Sequence, residues 1–493
     1  MRLHVYFWQH RQTQPEKPAV HFGGKVYPYR KLAGRTERIA ARLAHEWRVG
    51  RGERVAYLGA NHVDCVTLLA ACGVVGAVYL PLNARLAQAE LLAILQDAAP
   101  RVLVADAEHR ELAYALAAQS GCQVHDVDEL VAQPCAQRAP QPPAENLDVL
   151  LVYTSGTTGK PKGVMHTIDA MAANIDASRA GLALAADDVV LSALPLFHVG
   201  GLCIQTLPAL AAGATVLLHA RFEAGAWLAQ VQAQRPTQTL MVPATLRAVI
   251  AHPDWPGCDL SSLKSICAGS SIIPEALIQA VHQRGIPLTQ VYGSTETGPT
   301  STVLRVQDAF AKPGCAGPAA PGVELAIRTP DARGVGEVLV RGANLMRGYF
   351  QQVERGIQPD GWFATGDLGR LDADSALWIV GRAKDMLISG GENIYPAELE
   401  NVLASLPQIA EAAVIGLPHA RWGEVPVACV VVRPDAQLDQ TAVLQAFEGR
   451  LARFKHPKRV VFLQQLPKNA MGKVEKARLL KIVSSTASSS DQE

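Results

Sequence analysis

Short runs rich in β-branched residues alternate with stretches of helical periodicity along most of this chain, and that alternation constrains the fold more than any other feature. Val55-Ala-Tyr-Leu58, Val78-Tyr-Leu80, Val102-Leu-Val-Ala105, residues 149–153, Val189-Val-Leu191 and Thr215-Val-Leu-Leu218 read as buried strands. Residues 32–43 and 88–95 carry the apolar spacing of amphipathic helices. This pattern predicts an α/β protein of largely parallel sheets covered by helices. At 493 residues the chain exceeds one ordinary core, and length alone predicts about three folding units. Two stretches without Asp, Glu, Lys or Arg, 66–83 and 189–220, have the length of membrane spans. Gly73, Gly76 and Pro81 interrupt the first, and Pro195, Gly200, Gly201, Pro208 and Gly213 the second, so both read as strand, turn and helix passing through a core. No transmembrane segment is expected. The formal charge is +1, which excludes the strongly basic balance of a general nucleic-acid or anionic-membrane binder. Nine cysteines without a C-x-x-C pair or histidines at zinc spacing predict reduced, mostly buried thiols in a cytoplasmic protein. The opening Met1-Arg-Leu-His-Val-Tyr-Phe-Trp-Gln-His10 has no sustained apolar run, so no secretory leader is expected.

The strand at 149–153 leads into Thr154-Ser-Gly-Thr-Thr-Gly-Lys-Pro-Lys-Gly-Val164. Gly156, Gly159 and Gly163 allow the backbone to fold closely enough for its N–H groups to converge on an anion. Thr154, Ser155, Thr157 and Thr158 add hydroxyls, and Lys160 and Lys162 add positive charge. A surface turn could have such glycines, but the density of hydroxyls without Asp or Asn points to a loop that holds a polyphosphate. It is not a P-loop of the NTPase kind, because Pro161 stands where that motif needs Ser or Thr after Gly159-Lys160. Read whole, residues 153–164 resemble the phosphate-binding signature of the adenylate-forming superfamily of acyl-CoA synthetases, luciferases and peptide-synthetase adenylation domains.

Further motifs resemble that superfamily from about residue 16 to 478. In Gln290-Val-Tyr-Gly-Ser-Thr-Glu-Thr297, the resemblance implies that Tyr292 stacks on adenine and Thr295 contacts the α-phosphate, with Gly293 in the same nucleotide-binding turn. Glu296 would hold Mg²⁺, since a carboxylate beside a triphosphate is repulsive unless a hard cation lies between them. Thr365-Gly-Asp367 resembles the ribose site, with Arg382 as a second contact; a surface salt bridge is the plainer reading of Arg382. Lys384 stands at the superfamily's hinge, and Lys473 in Pro467-Lys-Asn-Ala-Met-Gly-Lys473 at its C-terminal catalytic lysine. Gly390 and Gly391 resemble the narrow passage for a pantetheine thiol. In Leu194-Pro-Leu-Phe-His198-Val-Gly-Gly201, His198 follows the aromatic residue where amino-acid-activating relatives have Asp, so it would gate or position a substrate carboxylate. One departure occurs at Gly269-Ser270-Ser271, between the adenine and acyl sites, where many relatives carry a second Gly and then Ala.

The resemblance implies a large N-terminal domain of helix-covered sheets plus a β-rich subdomain over 1–381, a hinge at 382–385, and a small mobile α+β domain over 386–493. It implies an AMP-forming acyl-CoA synthetase that uses ATP, CoA, Mg²⁺ and a carboxylic acid, as a monomer or a homodimer. The apolar residues within 199–210 lean the expectation toward a fatty or similarly apolar acid. Aryl or succinylbenzoate-type acids, and the loading of a carrier protein, are the alternatives.

Overall fold

The computed structural model describes residues 3–132, 135–154, 161–352, 356–389, 392–419, 422–469 and 472–487. The chain divides into two compact units. One comprises Met1–Ser271, Val281–Ala326 and Leu339–Ala364; the other comprises Ile272–Ala280, Ile327–Val338 and Thr365–Glu493.

The first unit contains two sheets. One has seven strands in the order Gly348–Tyr349, Lys162–Thr167, Asp148–Thr154, Val78–Leu82, Arg54–Leu58, Val102–Ala105 and Gln123–Asp126. Its pairs are parallel from Asp148–Thr154 onward in that order, and antiparallel at the Lys162–Thr167 end. The other has eight strands, in the order Thr302–Val303, Leu288–Tyr292, Ser265–Ala268, Gln238–Met241, Val189–Ser192, Thr215–Leu218, Pro18–Phe22 and Lys25–Pro28, parallel except at both edges. Val55, Leu58, Leu80, Leu103 and Val104 are fully buried, as strands covered on both faces must be. Each such side chain contributes about 1.5–3 kcal/mol by leaving water.

Both uncharged stretches fold as strand-and-helix passages. Residues 66–83 lie in the helix Val63–Val75, a left-handed turn at Gly76 (φ 76°) and the strand Val78–Leu82. Residues 189–220 form a strand, a π-helical segment Gly200–Thr206, the helix Leu207–Ala212 and the strand Thr215–Leu218. Among the described residues no helix is long and apolar enough to cross a membrane. All nine cysteines are free thiols, and all but Cys135 are buried.

In the second unit, Phe363–Leu371 and Leu377–Arg382 pair antiparallel. A separate sheet joins Glu392–Ile394, Leu387–Ser389, Gly423–Val432 and Ile409–His419, with Arg459–Phe462 parallel to Gly423–Val432. Leu399, Leu403 and Phe447 cover one face, and Leu479 and Val483 the other. The helical spacing of 441–454 predicts one helix there, but the observed helix is only Gln440–Gln445. After it the backbone turns, with Gly449 at φ 71° and a 3₁₀ turn at Arg453–Lys455, because Phe447 must bend back into the core.

Candidate active site

Thr154 ends the strand Asp148–Thr154 and pairs with Lys162 on the antiparallel strand Lys162–Thr167. Ser155, Gly156, Thr157, Thr158, Gly159 and Lys160 lie outside the described residues, as do Gly390 and Gly391. On the following strand, Tyr349 pairs with Val164, and the Phe350 amide donates to the Gly163 carbonyl at 2.7 Å. That register places the Tyr349 ring beneath Lys162, whose Nζ is 5.1 Å from the ring centroid. The Tyr349 hydroxyl donates to Glu296 Oε1 at 3.2 Å. Burial, then the neighbouring Glu296 carboxylate, pushes the Tyr349 hydroxyl pKa up, so it remains a donor throughout the neutral range. Lys162, Tyr349 and Glu296 thus form a chain from the second lysine of the loop to the candidate metal carboxylate. Tyr349 had no sequence cue of its own; only strand pairing brings it here.

Glu296 sits on a single 3₁₀ turn, Thr295–Thr297, at the end of the strand Leu288–Tyr292. The turn is held on every side. Its Thr297 hydroxyl accepts from the Ser294 amide at 2.9 Å and from the Ser301 hydroxyl at 2.9 Å. Asn344 Nδ2 donates to the Thr297 carbonyl at 2.6 Å, and the Met346 amide to the Glu296 carbonyl at 2.9 Å. Thr295 is buried, and Tyr292 and Glu296 are half-buried. Glycine is obligatory at position 293: a Cβ there would lie 1.8 Å from the Pro299 carbonyl oxygen. Gly269 is similar, since its Cβ would lie 2.7 Å from the Val291 carbonyl oxygen. The next residue, Ser270, is exposed and left-handed at φ 77°. The departure from the glycine expected there therefore falls where the backbone favours glycine.

His198 lies in the turn between the strand Val189–Ser192 and the π-helical segment Gly200–Thr206. Its Nδ1 accepts from the Gly200 amide at 3.1 Å, which in the neutral ring leaves the proton on Nε2. Asn61 pins this turn, donating to the Leu194 carbonyl at 2.9 Å and accepting from the Leu196 amide at 2.7 Å. Gly201 packs so closely that a Cβ would meet the Pro195 carbonyl oxygen at 2.3 Å.

In the second unit, Asp367 and Arg382 are register partners, with Arg382 Nε 2.9 Å from Asp367 Oδ1. Asp367 is buried while Arg382 is exposed. Both plain and functional readings of Arg382 meet here: it is a salt-bridge partner, and it flanks the carboxylate expected to hold ribose. Lys384 is exposed on the 3₁₀ turn Ala383–Asp385. Lys473 is exposed in a small hairpin, where the Asn469 amide donates to its carbonyl at 2.9 Å and Gly472 takes φ 76°.

Residues 7–350 match the AMP-binding enzyme family, and residues 398–473 the AMP-binding enzyme C-terminal domain. The chain is 45% identical to the indoleacetate–CoA ligase of Aromatoleum aromaticum, over 98% of each chain. It is 40% identical to the feruloyl-CoA synthase of an Amycolatopsis species, over 96% of this chain and 97% of that one. The ATP-bound crystal structure of MatB from Rhodopseudomonas palustris shares the fold with a TM-score of 0.88 at 30% identity, covering 98% of this chain and 99% of that one. The chain belongs to the adenylate-forming superfamily of AMP-binding enzymes, and within it to the AMP-forming acid–thiol ligases that make acyl-CoA.

Proposed function

We propose that this ligase acts on a carboxylic acid carrying an aromatic ring. The observation that carries the reading is the full-length likeness, at 45% and 40% identity, to relatives named for indoleacetate and feruloyl substrates. A fatty acid is the weaker reading, because Val199, Leu202, Ile204, Leu207 and Leu210 belong to the main hydrophobic core. Their apolar character is accounted for by packing and does not argue for a lipid chain.

A carboxylate resists nucleophiles because its charge and resonance oppose them. In the first half-reaction its oxygen attacks the α-phosphorus of ATP, and the bond to diphosphate breaks. Tyr292 stacks on the adenine, Asp367 and Arg382 hold the ribose, and Gly269, Ser270, Ser271 and Gly293 shape the walls around them. Thr154, Ser155, Gly156, Thr157, Thr158, Gly159 and Lys160 hold the phosphates. Thr295 binds the α-phosphate, His198 orients the acid, and Lys473 stabilises charge that develops on the non-bridging oxygens. Among the described residues no group of three or more His, Cys, Asp or Glu could hold a metal unaided. Glu296, half-buried and touched by the Tyr349 hydroxyl, is the carboxylate that would hold a magnesium ion beside the phosphates. When bound, the ion neutralises phosphate charge. In the second half-reaction the domain carrying Lys473 turns about Lys384, and Gly390 and Gly391 admit the thiol of CoA. The thiolate attacks the acyl carbonyl, and its bond to AMP breaks. Dependence on ATP and CoA suits a cytoplasmic enzyme.

The test is acid-dependent diphosphate exchange into ATP, followed by detection of acyl-CoA, across indoleacetate, hydroxycinnamates, benzoates and fatty acids. Turnover on ring-bearing acids with AMP as product is expected. Preference for fatty acids would overturn the substrate assignment, and release of ADP would overturn the chemistry.

A further inference from the structure

We propose that Asn174 is a positioning residue that sets the register between the acid-binding and nucleotide-binding segments. The inference rests on the assignment of the His198 segment to the acid and of Tyr292–Thr297 to the nucleotide.

Asn174 lies on the helix Ile168–Gly181 and is fully buried. Its two amide atoms bond in different directions. Nδ2 donates to the Cys203 carbonyl at 2.8 Å, and Oδ1 accepts from the Thr300 amide at 3.1 Å. Cys203 belongs to the π-helical segment Gly200–Thr206, where the Leu202 amide donates to the His198 carbonyl at 3.0 Å. Thr300 precedes Ser301, whose amide donates to the Tyr292 carbonyl at 2.8 Å and whose hydroxyl reaches Thr297. One side chain therefore lies one residue from the backbone joined to His198 and one residue from the backbone joined to Tyr292. One turn along the same helix, the Ser178 hydroxyl pairs with the Thr300 hydroxyl at 2.5 Å, fastening the nucleotide side alone. Each of these polar groups is fully buried, so each bond is held in a medium that water does not weaken. In-line attack requires the acid's oxygen to be held about 3–3.5 Å from the α-phosphorus and aligned with the bond that breaks. A buried amide that spans the two walls is suited to fixing that distance.

Three variants test the role. Asn174→Ala removes both bonds. Asn174→Leu keeps the volume but loses both the donor to Cys203 and the acceptor for Thr300, so it fills the space that Asn174→Ala leaves. Ser178→Ala removes only the hydroxyl pair. The readout is acid-dependent diphosphate exchange per folded molecule, with the folded fraction taken from ATP-binding stoichiometry. Asn174→Ala should lower kcat by about 10- to 100-fold, as expected for misplacement of reacting groups by about 1 Å. KM for ATP and for the acid should change by less than about threefold, because binding contacts remain. Asn174→Leu should lower kcat as much as Asn174→Ala does, and Ser178→Ala should stay within about twofold of wild type. A purely structural amide would reduce the folded fraction and leave kcat per folded molecule unchanged, and that result overturns the proposal. If Asn174→Ala does not fold, Asn174→Leu decides alone: a kcat equal to wild type overturns it. Wild type that exchanges with no acid overturns the functional reading and this inference together, whereas active wild type matched by the variants overturns only the inference.

Discussion

Glu296 rides on a turn whose backbone and neighbours are tied to Met346, Asn344, Ser294 and Ser301, while its carboxylate is held by Tyr349. Lys473 sits on an exposed hairpin whose local bonds come from Asn469 and whose turn relies on a left-handed Gly472. The difference matches what each proposed task demands. A group that must be in place before ATP arrives benefits from being fixed in advance. A group needed in one half-reaction and unwanted in the next benefits from a site that commits few buried contacts. If that contrast is correct, substitutions at the fixed segment should damage folding and geometry, whereas substitution of the exposed lysine should damage one chemical step alone.

The largest effect is expected at Lys473. Lys473→Ala should lower the rate of adenylate formation by about 10²- to 10³-fold, the usual loss on removing one charge-stabilising donor. Thioester formation from supplied acyl-adenylate should stay near wild type, and so should the unfolding midpoint, since the side chain is exposed. Rapid-quench measurement of each half-reaction separates the two, and equal loss of both would break the contrast.

Gly293→Ala should do the opposite, acting through structure. The added methyl would meet the Pro299 carbonyl oxygen at 1.8 Å, so the turn beneath Tyr292 must shift, costing about 3 kcal/mol. Denaturant unfolding should show that loss, with weakened ATP binding by calorimetry. A variant as stable as wild type would mean that the segment is less fixed than its bonds indicate.

Tyr349→Phe sharpens the comparison further, because it removes only the hydroxyl that touches Glu296. The bond joins a neutral donor to a half-buried carboxylate and contributes about 1.5 kcal/mol, so the magnesium concentration for half-maximal exchange should rise about tenfold. Fluorescence-detected binding of magnesium–ATP gives the same shift without turnover. No change in either would show that Glu296 does not depend on Tyr349 for its orientation.

These expectations also mark where the sequence was legible. The strands at 55–58, 78–80, 102–105 and 215–218 were readable because burial on both faces imposes continuous apolar runs, and each falls within an observed strand. The end of the helix near 445 was not, because it is set by Phe447 turning into a core built from distant strands. The phosphate-type loop stood out by composition, and the other nucleotide-type motifs by their resemblance to the superfamily. Tyr349 did not, since its role arises from pairing with Val164, nearly two hundred residues earlier in the chain. Asn174 lay between these cases: with Met171, Ile175 and Ser178 it shares a buried helix stripe. A polar residue on such a stripe signals a buried bond, but its partners appear only in three dimensions.

The smallest effect is expected at Ser270, beside the fixed segment yet exposed. Its φ of 77° is one that a residue with a Cβ holds at a cost of about 1 kcal/mol. Ser270→Gly relieves that strain but gives the unfolded chain more freedom, which returns about half of the gain. A net stabilisation of about 0.5 kcal/mol follows, visible as a small rise in the denaturant midpoint. Because Ser270 is proposed to shape the wall between adenine and acid, the same variant should alter the ranking of acids in the exchange assay. Higher stability with unchanged selectivity would make the serine a tolerated strain. Unchanged stability would mean that its hydroxyl offsets the backbone cost, and would move Ser270 from the exposed, lightly held class into the fixed one.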